Sequence, residues 1–182
     1  MISIPPIPRD IANEVSSILN NALNTNISIY DKIEICYEQV DKILNILKES
    51  FPCKPGCSFC CKHDVLITEL EANYISLKTG IKLNMQKFSY FNHSNCQFLK
   101  DDFCSIYKYR PFICRTYHIL ASPENCKKDL SNKCLQYGIE LSGYGNPIFK
   151  AIGEWINIVN SKANYSKKDI RDFFELTYKS DS

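Results

Sequence analysis

Nowhere in the 182 residues does an apolar run approach the ~18 positions a membrane span needs, which argues against an integral membrane protein. The opening MISIPPIPRD lacks the basic start and unbroken apolar stretch of a secretory signal, so the expected location is the cytoplasm. Charge of one sign is also lacking: 22 basic residues face 20 acidic ones, and the basic residues are scattered rather than clustered. No electrostatic footprint for nucleic acid is present, and neither nucleic acid nor membrane is an expected partner. Internal repeats, low-complexity linkers, a nucleophile elbow, a phosphate loop and a helical zinc-protease motif are all missing. The one glycine pair before a helix, in SGYGNP at 142–147, has no third glycine and no preceding β-rich run, so a turn leading into a capped helix explains it. The length leaves room for one domain, 1–182, and little for a second.

Cysteine is what the chain has in excess. There are ten, and nine of them lie between Cys53 and Cys134. That density is below the roughly 8–10% of small disulfide scaffolds, and clustered thiols in a reducing compartment point to metal or redox chemistry. A disulfide-linked exported protein is the minor reading.

The flanks read as helices. Ile11, Val15, Ile18, Leu19 and Leu23 recur at helical spacing over 10–23 behind Asp10, the expected cap. Ile33, Cys36, Tyr37, Val40, Ile43, Leu44 and Leu47 form a broad apolar stripe over 31–49 with Asp31 as the expected cap. Cys36 sits on that stripe and is read as a small core residue, outside the site. Near the other end, Asn146 and Pro147 are the cap and first residue of a helix carrying Ile148, Ile152, Trp155, Ile156 and Val159. Ser166 is the expected cap of a last helix with Ile170, Phe173, Phe174 and Tyr178.

Between these flanks the rules change. In FPCKPGCSFCC, residues 51–61, Pro55 and Gly56 oppose a continuous helix, so a loop wrapping its sulfurs around a centre is expected. Val65–Ile67 reads as a short extended run, followed by a helix with Thr68 and Glu71 as its capping box and Gly80 as its stop. NCQFLKDDFCSIY reads as a small hairpin that brings Cys96 near Cys104 across its arms. Pro111 keeps Arg110 out of the helical region and opens a short helical turn carrying Cys114. The expected class is mainly α: an irregular cysteine-rich centre with a small β-hairpin, 51–126, between helical flanks at 1–50 and 127–182.

Thiolates are soft ligands, and the two-residue gap from Cys57 to Cys60 lets both sulfurs reach one metal from a tight turn. One such pair is weak, but here it is joined by Cys53, Cys61, Cys96, Cys104, Cys114 and Cys126. Eight thiolates suffice for two four-cysteine centres, each with a net charge of about minus two whether it holds zinc or a four-iron cluster. Arg110, Arg115, Lys54 and Lys62 lie beside the sulfurs in sequence and are read as offsetting that charge. Neighbouring side chains point apart in helix or strand, so Cys60 and Cys61 are not expected to serve one metal alike. One of the two, not chosen by the sequence, is left to face another ion, pack in the core or stay a free thiol. His63 and His118 stand within reach of the same centre and are read as neighbours of the ligands. Phe59, Phe98, Phe103, Tyr107 and Phe112 interleave with the cysteines and are expected to exclude water.

With CKPGCSFCC, then Cys96 in CQFL, Cys104 in CSIY, RPFICR at 110–115 and Cys126, the chain resembles the YkgJ-type cysteine-cluster family, named for a CxxxCxxCC motif and described as zinc- or iron-chelating. The resemblance spans about residues 51–126 and implies a zinc or iron-sulfur site built by those eight cysteines. Flagellin lysine N-methylases carry a similar block in a longer chain, which implies methyl transfer by analogy alone. The leading expectation is a metal-binding protein whose cluster organises a domain that recognises another protein. The alternative is an enzyme using the cluster in methyl transfer or redox chemistry.

Overall fold

A computed structural model describes residues 6–51, 53, 56–84, 95–118 and 146–174. The first helix, α1 (Arg9–Asn24), starts behind Pro8, whose carbonyl accepts from the Ala12 amide at 2.9 Å. Asp10 therefore lies inside the first turn, where an acidic side chain favours the positive helix end, and is not the cap. The second, α2 (Ile29–Leu47), is capped by Ser28: its Oγ accepts from the Asp31 amide at 3.1 Å and donates to the Asp31 carboxylate at 2.8 Å. Asp31 is thus the partner of the cap, three residues inward. The whole stripe from Ile33 to Leu47 is buried. Cys36 is fully enclosed, and burial pushes its thiol up to about 12.

Strand β1 (Leu66–Thr68) leads into α3 (Glu69–Thr79) through the capping box of Thr68 and Glu71. The helix stops at Gly80, where φ is +73°, a left-handed conformation glycine adopts without a Cβ penalty. Strands β2 (Leu99–Lys100) and β3 (Phe103–Cys104) form the hairpin, with Leu99 opposite Cys104. Its two turn residues, Asp101 and Asp102, both have positive φ, the turn whose twist matches the strands. Arg110 is extended as expected from the following proline, and Pro111 precedes the short helix α4 (Phe112–Thr116).

Helix α5 (Pro147–Lys162) has Asn146 as its cap, accepting from the Ile148 and Phe149 amides. Gly143, Gly145 and Tyr178 lie outside the described residues. Ser166 caps nothing; its amide and hydroxyl donate to Glu69, at 2.9 and 2.7 Å. The chain continues as β4 (Lys167–Asp169), antiparallel to β1, and Asp169 caps the one-turn helix α6 (Ile170–Phe173). KKD has no alternation of its own, so its pairing with β1 decides its conformation.

A hydrophobic core joins α1, α2, α3, α5 and α6, and Phe98 and Ile106 from either side of the hairpin enter the same cluster. Phe98 packs edge-on to Phe174, with centroids 5.1 Å apart. The fold is mainly helical with small antiparallel sheets, and its irregular cysteine segments are tied to the core at both edges. Among the described residues no helix is long and apolar enough to cross a membrane.

Candidate metal centre

Three segments carry the cysteines. The first is the loop from Cys53 through Gly56, whose φ of +87° makes the bend, to a 3-10 turn at Phe59–Lys62. Cys53, Cys57, Cys60 and Cys61 are all half-buried on it. The second is the hairpin: the Cys96 amide donates to the Cys61 carbonyl at 2.7 Å, and Cys104 is on β3. The third is α4 with Cys114. Cys57, Cys60, Cys61, Cys96, Cys104 and Cys114 are free thiols. Cys126, the eighth proposed ligand, lies outside the described residues, as does Lys54.

The sulfurs sense one another. The neighbouring Cys61 and burial hold the proton on Cys60, raising it, whereas Cys61 is lowered to about 7 by its Cys60 neighbour and by Arg171, against burial. Cys114 and Cys53 oppose ionisation of Cys60 as well. Cys96 is pushed up to about 12, first by burial and then by the charges of Cys61 and Cys104. Cys104 is raised by burial and by Cys61, and Cys114 well above the ordinary thiol value by burial and by Cys96, Cys61 and Cys104. Six cysteines from three chain segments thus occupy one electrostatic neighbourhood in which successive thiolates are costly without a cation. Cys57, on the same loop, is half-buried beside the buried Ser58. Among the described residues no three His, Cys, Asp or Glu side chains are already arranged to hold an ion. As a donor set, clustered sulfur fits zinc or iron.

The framework around them was only partly expected. Ser58 donates to Asp102 at 2.6 Å, docking the hairpin turn on the first loop. Glu71, beyond its capping role, accepts from the Tyr37 hydroxyl at 2.8 Å and from the Phe112 amide at 2.9 Å, fixing α4 against α2 and α3. Arg110 and Arg115 are buried, but both reach Asp41 on α2 and backbone carbonyls, of Tyr107 and Lys108 respectively. They brace α4; Arg110 favours the Cys104 thiolate as a minor effect. The arginine beside Cys61 and Cys96 is Arg171 of α6, which sequence spacing did not reveal. Lys62 is exposed with its ammonium 5.9 Å from the Phe59 ring. The expected aromatic seal holds for buried Phe98 and partly for Phe59 and Phe112, whereas Phe103 and Tyr107 are 58% and 63% exposed. Neither of those two shields the sulfurs.

His63 is half-buried, and its carbonyl accepts from Arg171. His118 stacks on Phe51, with centroids 4.5 Å apart, and its Nε2 pairs with the Arg115 carbonyl at 3.0 Å. Since a carbonyl only accepts, Nε2 carries the proton and the ring is neutral or doubly protonated. Burial holds the neutral form and lowers its pKa to about 4, Arg110 lowering it further while the carbonyl contact and Asp41 oppose. A lowered folded-state value makes the unfolded chain bind more protons between about pH 6.5 and 4, so stability is lost as pH falls through that window. For metal-free protein we expect His118→Gln, which keeps the donor to Arg115, to be less sensitive to acid by about 2–3 kcal/mol between pH 7 and 4. Urea melts at both pH values check this; parallel losses in the two proteins would contradict it.

A buried helical frame thus carries half-buried cysteines from three chain segments. Residues 52–137, a little under half of the chain, match the CxxCxxCC family, described as "Putative zinc- or iron-chelating domain". That stretch contains the eight cysteines singled out from the sequence. No curated protein and no solved structure gives a significant match.

Proposed function

We propose that this protein binds zinc or an iron-sulfur cluster through Cys53, Cys57, Cys60, Cys61, Cys96, Cys104, Cys114 and Cys126, and that the loaded chain acts as one domain in the reducing cytoplasm to recognise another protein. The observation that carries the reading is the convergence of six thiols from three segments into one electrostatic neighbourhood, inside the stretch that matches a metal-chelating family. Soft sulfur donors select zinc or iron over hard cations. Support for a protein partner comes from Phe103 and Tyr107, large aromatics exposed on the hairpin and the turn after it, as aromatic residues at interfaces often are.

Metal analysis and absorption spectroscopy on anaerobically purified protein test the reading: stoichiometric zinc without colour, or iron and inorganic sulfide with a visible chromophore. Reduced protein that carries neither metal and takes up neither on addition would end it. Chelation has a further expected result. The metal contributes folding free energy locally, while the core of α1, α2, α3 and α5 is built without the candidate ligands of the first loop. Removing the metal should therefore raise amide exchange at least tenfold over 56–64 and 95–118 and leave the buried face of α2 protected. Unchanged exchange in both segments after complete removal would show that the metal organises neither.

A further inference from the structure

The segment from Cys61 to Val65 is gripped from outside the family-matched stretch. Arg171 is 5% exposed and Asp169 1% exposed. Arg171 Nη1 binds both Asp169 carboxylate oxygens, at 2.8 and 3.0 Å, and Nη2 donates to the carbonyls of Cys61 at 3.2 Å and His63 at 2.8 Å. Asp169 also accepts from the Val65 amide at 2.6 Å, and the Ile170 amide donates to the Val65 carbonyl at 2.9 Å. The Cys61 carbonyl is thus a node: it takes the Cys96 amide from the hairpin and the guanidinium from α6.

We propose that Arg171 is a positioning residue for the metal centre, its planar fork fixing the Cys61 and His63 carbonyls and so the orientation in which the Cys60–Cys61 turn meets Cys96. The inference rests on the metal-binding reading above. The buried ion pair with Asp169 uses one terminal nitrogen of the guanidinium. The other terminal nitrogen is spent on the main-chain carbonyls of Cys61, itself a proposed ligand, and of His63 two residues on, the arrangement by which outer groups orient ligands around a metal. Lysine, a point charge without a fork, can keep the pairing with Asp169 but cannot hold both carbonyls as well.

The test uses full-length protein carrying Arg171→Lys or Arg171→Gln, with zinc titrated against a chromophoric chelator and cobalt(II) as a spectroscopic probe. We expect zinc affinity to fall by about 10–100-fold in either variant and the cobalt–thiolate charge-transfer bands to shift. A purely architectural role would lower the melting temperature of the metal-free protein while leaving zinc affinity and cobalt bands as in the parent, and that result overturns the proposal. If Arg171→Gln does not fold, Arg171→Lys, which retains the buried charge, decides by the same criteria. A parent that binds none of zinc, cobalt or iron removes the functional reading and this inference together. A parent that binds while Arg171→Lys binds equally well, within twofold and with unshifted bands, removes the inference alone.

Discussion

Replacing Cys57 and Cys60 together with serine should strip the metal from the protein, whereas replacing Cys36 should not. Serine offers a hard oxygen with a far higher pKa than a thiol, so two of the soft donors in the first loop vanish. Structural zinc sites bind with roughly 10–16 kcal/mol shared among four ligands, so losing two costs on the order of 5 kcal/mol, more than a thousandfold in affinity. Cys36 is fully buried among the α2 core residues, its thiol pushed up to about 12, and contributes packing. Metal content after anaerobic gel filtration separates the cases. Retention by the double variant together with loss from a Cys36→Ala variant would reverse the site assignment.

Glu71→Ala should be among the most destabilising single changes. The side chain is 4% exposed and accepts four hydrogen bonds: from the Tyr37 hydroxyl at 2.8 Å, the Phe112 amide at 2.9 Å, and the Thr68 amide and hydroxyl at 3.0 and 2.7 Å. Each buried donor left without its acceptor costs about 1–3 kcal/mol, so a loss of about 4 kcal/mol or more is expected. Tyr37→Phe, which removes a single one of these bonds, should cost about 1 kcal/mol. Denaturant midpoints at constant slope measure both, and a Glu71→Ala loss no larger than that of Tyr37→Phe would refute the hub. Because Glu71 anchors the first amide of α4, the same variant should also weaken metal retention through Cys114.

Local signals were legible wherever the deciding groups are close in sequence. Thr68 with Glu71, Gly80, Asn146 with Pro147, and the paired aspartates of the hairpin each act within a few residues, and each marks the boundary expected of it. Cap positions slipped where two residues compete: Ser28 takes the place expected of Asp31, and Pro8 precedes Asp10. Strand β4 was illegible because Lys167–Asp169 has no apolar pattern and takes its geometry from β1, about a hundred residues earlier. The same holds for the arginines around the site. Arg110 and Arg115 adjoin the cysteines in sequence but turn to Asp41, while Arg171, remote in sequence, reaches Cys61 and His63.

The sequence by itself determined the helical flanks, the buried role of Cys36 and the sulfur-rich character of the centre, because periodicity, capping chemistry and ligand softness are properties of residue types at short spacing. Tertiary structure alone decided that Glu71 and Asp41 hold α4 in place. It also decided that a buried arginine near the far end of the chain grips the loop. Buried polar groups must find partners wherever packing brings them, and no spacing rule along the chain records who those partners are.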